Sequence, residues 1–181
     1  RLPGVKIVRS DVFSDELLHI IGENVRFPEI ALGDLTAQVA TVRVAARRMS
    51  ELATKYGEKV VRRAFVNLLD SSEKRSRTAI AALPDGTYHA EDVIDGDGVT
   101  DDPIRVKVAV TIAGDRIIAD FSGNPPAVAG PINCARGALQ SATRTIVKAL
   151  VAPQEPSNEG WFRPLDVVAE PGTIFTAEKP S

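Results

Sequence analysis

The chain has 181 residues, 44% hydrophobic and 25% charged, with a net charge of −2, which fits one domain with a real core or one domain plus an extension. The near balance of charge argues against a nucleic-acid binder, which normally shows a basic face. No run approaches the roughly 18 apolar residues of a membrane span, no signal-peptide pattern opens the chain, and a single cysteine, Cys134, excludes an internal disulfide framework, so a reducing cytoplasm is the expected compartment.

The first residue is Arg1 and the only methionine is Met49. RLPGVKIV reads as a strand entered in mid-course, and TAEKPS stops without a helical cap. The expectation is an internal piece of a longer protein. Residues Asp11 to Asn24 carry Val12, Leu17, Leu18, Ile20 and Ile21 and read as a short amphipathic helix. Ser14 is its N-cap, and Asp15 and Glu16 stand at the positive end of its dipole.

From Gly33-Asp34, apolar or near-apolar positions fall at Leu35, Val39, Val42, Ala46, Met49, Ala53 and Tyr56. The spacing alternates four and three, a heptad seam, and Gly57 stops it. A second helical pattern runs through Val61, Phe65, Leu68, Ser72, Ser76, Ala79 and Leu83 to Pro84. Two such helices joined at one glycine predict an antiparallel hairpin over residues 34–83, with arms roughly 35–40 Å long at about 1.5 Å per residue. It serves either as a core pair or as a surface for another subunit.

After Pro84-Asp85-Gly86 the period changes to two. Strands are expected at about 86–94, 103–112 and 117–122. Gly114-Asp115 suits a two-residue type II′ turn, which sets Ile112 opposite Ile117, Val110 opposite Ala119 and Val108 opposite Phe121. Asp120 then lies on the other face, opposite Ala109 and near Lys107. A further helix shows Ala135, Ala138, Leu139, Ala142, Ile146, Ala149 and Leu150 as its buried stripe. The loop-rich tail from Pro153 carries one strand at Leu165 to Ala169. The fold class is α+β: residues 1–84 mainly helical, residues 85–181 a small antiparallel sheet plus a packed helix.

Four features bear on chemistry. DGDGVTDD (Asp95 to Asp102) fails as a calcium loop, because Val99 and Thr100 occupy the positions that need an oxygen donor and glycine, so it reads as a solvated hairpin loop. His19 and His89 lie in unrelated segments without ligand-spaced partners, which disfavours a closed zinc site. Cys134, near a helix start, has no histidine partner in sequence and reads as a buried structural residue. The loop IIADFSGNPPAVAGPIN (Ile117 to Asn133) is far longer than a simple connection of about two to six residues. Its strand–loop–helix form can aim backbone N–H groups at an anion, though it contains no phosphate-loop or dinucleotide fingerprint. A second crowded loop, PSNEGWFRP (Pro156 to Pro164), sets polar groups beside the sole tryptophan, as in an interface or pocket wall.

NVRFPEIALGDLTAQVA (Asn24 to Ala40), LPDGTYHAEDVIDGDG (Leu83 to Gly98), ADFSGNPPAVAGPIN (Ala119 to Asn133) and PSNEGWFRPLDVVAEPGTIFTAEKP (Pro156 to Pro180) occur in this order. Together they resemble the hydantoinase B/oxoprolinase family over almost the whole chain. The resemblance implies a cytoplasmic subunit or domain of an ATP-dependent enzyme that opens cyclic amides such as hydantoins or 5-oxoproline. Relatives in the resemblance carboxylate ketones instead. It also implies ATP and magnesium on a hydantoinase A-type partner, and a divalent metal held by family residues upstream of the segment that begins like RLPGVKIV. Neither cofactor nor metal ligands are therefore assigned to this chain, and its catalytic residues are left unassigned. Asp120, Ser122, Asn133, Asn158 and Arg163 are taken, on the physical grounds above, as a pocket or a domain interface. The alternatives are part of an ATP-dependent ketone carboxylase subunit, or a non-catalytic assembly module of such a complex in which Asp120 and Asn133 only cap a strand end and a helix start.

Overall fold

Ser10 and Asp11 both adopt positive φ, 48° and 63°, and so turn β1 (Val8–Arg9) back on β2 (Val12–Phe13) as an antiparallel pair. Two consecutive positive-φ residues are what a primed hairpin turn requires. The Asp11 carbonyl accepts a hydrogen bond from Arg43 Nη2 at 2.7 Å, and its carboxylate lies 3.3 Å from Arg43 Nε, fastening the turn to the long helix that follows. This computed structural model describes residues 4–178. The expected opening strand therefore begins at Val8, and its Arg1–Pro3 portion lies outside the described residues. Val12 belongs to β2, so α1 is shorter than expected, Asp15–Glu23. Ser14 caps it as expected, its Oγ accepting from the Leu17 N–H.

The chain divides into two compact units, Arg1–Arg63 and Ala64–Ser181. In the first, α2 runs Pro28–Tyr56 and starts earlier than the Gly33-Asp34 signal, because Pro28 in the first turn gives up an N–H that had no intrahelical partner. It stops at Gly57, whose φ of 85° suits glycine and whose N–H bonds the Ala53 carbonyl at 2.9 Å. Ala31, Leu32, Leu35 and Val39 are half-buried, and α1 packs on this end, with Gly22 facing Leu32. Beyond it the heptad seam is bare: α2 buries no residue at all, and Val42 is 68% exposed.

α3 (Glu58–Ile80) buries Ser72, Ser76 and Ile80. In the second unit four strands form one sheet in the order β3 (Gly86–Ile94), β4 (Ile104–Ala113), β5 (Arg116–Asp120), β6 (Leu165–Val168). The register matches the expectation: Ile112 opposite Ile117, Val110 opposite Ala119, Ala109 opposite Asp120. Gly114 alone takes positive φ in its turn, 59°, as a type II′ turn demands. The sheet is mixed rather than wholly antiparallel. The tail strand β6 pairs parallel with β5, Ile117 beside Leu165, since α4 (Arg136–Val151) and α5 (Glu159–Phe162) carry the chain back across the layer before it pairs. The α+β class stands.

The core is Ile80, Ile117 and Leu165, with Val110, Ile112, Val147, Val151 and Phe162 packed around it. The α4 stripe is rotated from the alanine-rich one expected: Leu139, Thr143 and Lys148 are buried, while Ile146 and Leu150 face solvent. Thr143 can turn inward because its hydroxyl donates to the Leu139 carbonyl at 2.9 Å. Lys148 can because its ammonium donates to the Ala152 carbonyl and lies 4.9 Å from the Trp161 ring.

Candidate functional site

One face of the sheet packs on the core. On the other, cross-strand pairing places His89, Ala109 and Asp120 in one row and Glu91 beside Lys107 in the next. With Ser122 just past the end of β5, these side chains line a hollow of about 200 Å³ whose floor is kept low by Ala109. Asp120 accepts the Ser122 N–H at 2.8 Å. The Ser122 hydroxyl and N–H hold its carboxyl below the usual aspartate range against a smaller opposing effect of burial. At neutral pH it is therefore an acceptor and a fixed negative charge rather than a proton donor.

The loop after β5 is built to hold this hollow. Asn124, 6% exposed, accepts the Lys107 N–H at 2.9 Å and donates to the Lys107 carbonyl at 2.8 Å and the Phe121 carbonyl at 2.7 Å. Its amide supplies β4 with one more ladder rung where β5 has ended. Gly123, at φ 70°, lies so close to Lys107 that a Cβ there would stand 3.0 Å from the ammonium nitrogen, and its N–H donates to Glu170.

Asp97 locks the far side of the same loop. It is the exception within a segment expected to be solvated: Asp95, Asp101 and Asp102 are exposed, but Asp97 is buried. Its Oδ1 accepts the Val99 and Thr100 N–H groups at 2.8 Å each, and Oδ2 accepts the Gly130 N–H at 3.0 Å. Those bonds, Thr100 first, draw its carboxyl below the ordinary range. The folded value is depressed, so the stabilisation is full above the unfolded aspartate pKa of about 3.9 and is lost as pH falls through the folded value. Wild-type stability is expected to decline on acidification from about pH 4 downward. Asp97→Asn, which turns Nδ2 against the Gly130 N–H, is expected to be less stable at pH 7 and flatter below it. Urea unfolding from pH 2 to 7 decides this; equal slopes for both proteins would refute it.

The five expected site residues do not converge. Asp120 and Ser122 share the hollow. Asn133 instead ties its own loop, accepting from the Val128 N–H at 2.9 Å and donating to the Val128 and Gly130 carbonyls. Asn158 caps α5 through the Trp161 N–H and donates to Ser72 Oγ at 2.7 Å. Arg163 bonds Asp70 and Glu73 at 2.8 Å each and, before Arg77, is the main reason Glu73 titrates low. Cys134 is half-buried rather than buried, with its backbone bonded to Ile174 and Ala177. His89, Lys107 and Asn124 were missed as site residues; the alternation of β3 and β4 already put His89 and Lys107 on the face of Asp120. Among the described residues, no three His, Cys, Asp or Glu side chains are grouped so as to hold a metal ion. No helix among them is long and apolar enough to cross a membrane.

The sequence profile of the hydantoinase B/oxoprolinase family matches residues 1–181. The chain belongs to that family. Among its relatives is a protein of Pseudomonas sp. (strain NS671) that bears the name of the B component of a D-/L-hydantoinase. It is 34% identical over 181 residues, covering 94% of this chain and 31% of that protein. The crystal structure of an ATP-dependent caprolactamase from Pseudomonas jessenii superposes with a TM-score of 0.87 at 27% identity, over 100% of this chain and 31% of that one. A nucleotide-free acetone carboxylase shares the fold, with a TM-score of 0.83 at 17% identity, over 95% of this chain and 24% of that one. The chain thus spans about a third of the length of the hydantoinase and caprolactamase relatives. Within this family member, the loop that carries Asp120, Ser122 and Asn124 is the recognisable Ala119–Asn133 motif, and Asp97 lies in the Leu83–Gly98 motif. Two of the four motifs therefore meet through the Asp97–Gly130 hydrogen bond.

Proposed function

We propose that this chain is part of an ATP-dependent cyclic-amide hydrolase, opening a hydantoin or 5-oxoproline ring, and that it works in the cytoplasm with a hydantoinase A-type ATP-binding partner. The observation that carries the reading is the match, over the whole of this chain, to an ATP-dependent caprolactamase, whose substrate is itself a cyclic amide. An unstrained amide is a poor electrophile. Phosphoryl transfer from ATP to its oxygen, at the partner's site with magnesium, makes that oxygen a leaving group. Water can then add at carbon; the adduct expels the ring nitrogen as an amine, opening the C–N bond, and the acyl phosphate left behind is hydrolysed by a second water to a carboxylate and phosphate. A divalent metal belongs, on this reading, to another segment of the enzyme. The hollow of Asp120, Ser122, His89 and Lys107 supplies a fixed carboxylate beside an ammonium, suited to orienting the polar edge of a substrate or of an adjoining domain.

A second reading is favoured by a specific observation: Asn133, Asn158 and Arg163 are committed to bonds within the chain, as in an assembly module. One pair of variants separates the two. Asp120→Asn keeps the acceptor for the Ser122 N–H and removes the charge. It is expected to lower ATP-dependent ring opening by about tenfold or more in the assembled enzyme with subunit association intact. Asn133→Ala is expected to act on loop stability, costing about 1–3 kcal/mol. Turnover unchanged in Asp120→Asn, or association lost with it, would favour the module. The same reading expects no ring opening from the 181-residue chain alone; activity there would overturn the division of labour.

A further inference from the structure

α4 carries Arg136, Arg144 and Lys148 and no acidic residue, and Lys148 is only 7% exposed. A buried ammonium is costly unless its charge is balanced and its three donors are satisfied. Within the chain neither condition is met. Lys148 donates to the Ala152 carbonyl, an acceptor that the Glu155 N–H shares at 3.2 Å. The Trp161 ring, 4.9 Å away, offers a quadrupole but no charge. The C-terminal end of α4 adds roughly half a negative charge. The two carboxylates of the adjoining segment are already claimed. Glu155 lies 2.9 Å from Arg75 Nε, and Glu159 accepts from both Nη atoms of Arg144 at 2.9 and 3.0 Å. Among the described residues, Lys148 has no ion-pair partner within 4.0 Å.

Lys148 also lines a cavity of about 470 Å³ between α4 and the segment that leads into α5, within the size range of small-molecule sites. Ser141 and Ser157 line it too, and neither hydroxyl donates a hydrogen bond within the described residues. Ala149, Pro153 and Phe162 form its apolar wall. We propose that this cavity binds a small organic anion. Its terminal phosphate or carboxylate sits on Lys148 and the Ser157 hydroxyl, and its body lies on Phe162 and Pro153. Such an anion supplies the charge and the acceptors that the ammonium lacks, through charge-assisted bonds. The cavity shares no residue with the Asp120 hollow, so its occupancy does not depend on the function assigned to that hollow.

The sole tryptophan, Trp161, stands beside the ammonium and reports on it. The intact chain is titrated at constant ionic strength with phenyl phosphate and with benzoate, exciting beyond their own absorption. A saturable change in Trp161 fluorescence is expected, and the tighter of the two probes identifies the head group. Lys148→Met keeps the carbon stem and is expected to weaken binding by about tenfold or more. In ligand-free buffer it is expected to melt at the same temperature as wild type or higher, because it removes an unbalanced buried charge. Ser157→Asp, at an exposed position, builds the missing carboxylate into the cavity wall. It is expected to raise the melting temperature without ligand and to abolish the response to both probes, and it decides the matter if Lys148→Met fails to fold. No saturable change with either probe, a change reproduced by sodium chloride, full binding by Lys148→Met, or full binding by Ser157→Asp would each overturn the proposal.

Discussion

Gly130→Ala is expected to destabilise the second unit by more than about 3 kcal/mol, measured by urea unfolding, or to prevent accumulation of folded protein. A Cβ at Gly130 would lie 1.7 Å from the Asp97 carbonyl oxygen, 2.5 Å from its carbonyl carbon and 2.9 Å from its Cβ. None of these is the free end of a flexible side chain, so no rotamer change relieves the overlap. The two loops must move apart, and the Gly130–Asp97 hydrogen bond, 3.0 Å in the wild type, goes with them. The buried Asp97 carboxylate would then lose one of its N–H partners. Gly137→Ala is the matched control. It lies in the first turn of α4 with nothing within 4 Å of its added methyl, so alanine there is expected to be neutral or to gain up to about 1 kcal/mol from helix propensity. A cost at Gly130 no greater than the change at Gly137 would mean that the two loops are not held together as described.

The contrast between these glycines shows where reading from sequence reaches and where it stops. The β4–β5 hairpin was legible to the residue, because period-two alternation and a Gly-Asp turn leave one register that buries Ile117 and Ala119. The cap at Ser14 and the stop at Gly57 were equally local signals. The Asp97–Gly130 contact joins residues 33 positions apart, and no local pattern distinguishes Asp97 from its exposed neighbours in DGDGVTDD. The family resemblance marked both segments without saying that they touch. On α4, hydropathy chose alanines and Ile146 for the core. Packing chose Thr143 and Lys148, whose polar ends find partners while their carbon stems are buried. The candidate site divided in the same way: strand alternation placed Asp120 correctly, whereas Asn158 and Arg163 found partners on α3 that lie 86 and 93 residues earlier.

Trp161→Ala is expected to cost about 3–5 kcal/mol, with Trp161→Phe costing markedly less, about 1–2 kcal/mol. Trp161 is 1% exposed and meets the Phe162 ring edge-to-face at 5.1 Å. The Lys148 ammonium lies 4.9 Å from its ring. The backbone beside it is pressed onto α3: a Cβ at Gly160 would stand 2.1 Å from the Leu69 carbonyl oxygen. Buried serines at 72 and 76 leave room for this approach, and Asn158 secures it through Ser72 Oγ. Alanine would leave a cavity beneath α5 that such tight backbone contacts cannot close, and would remove the aromatic face from a buried lysine. The small expected cost of phenylalanine follows from one detail. The indole Nε1 is buried with no hydrogen-bond partner among the described residues, so the substitution forfeits volume but no hydrogen bond, and it removes a donor that was desolvated without compensation. Unfolding followed by far-ultraviolet circular dichroism compares the three proteins without relying on the lost fluorophore. If phenylalanine proved as costly as alanine, the indole N–H would have to be spending its proton on an acceptor, and Trp161 would be a polar anchor of the α3–α5 contact instead of its apolar filling.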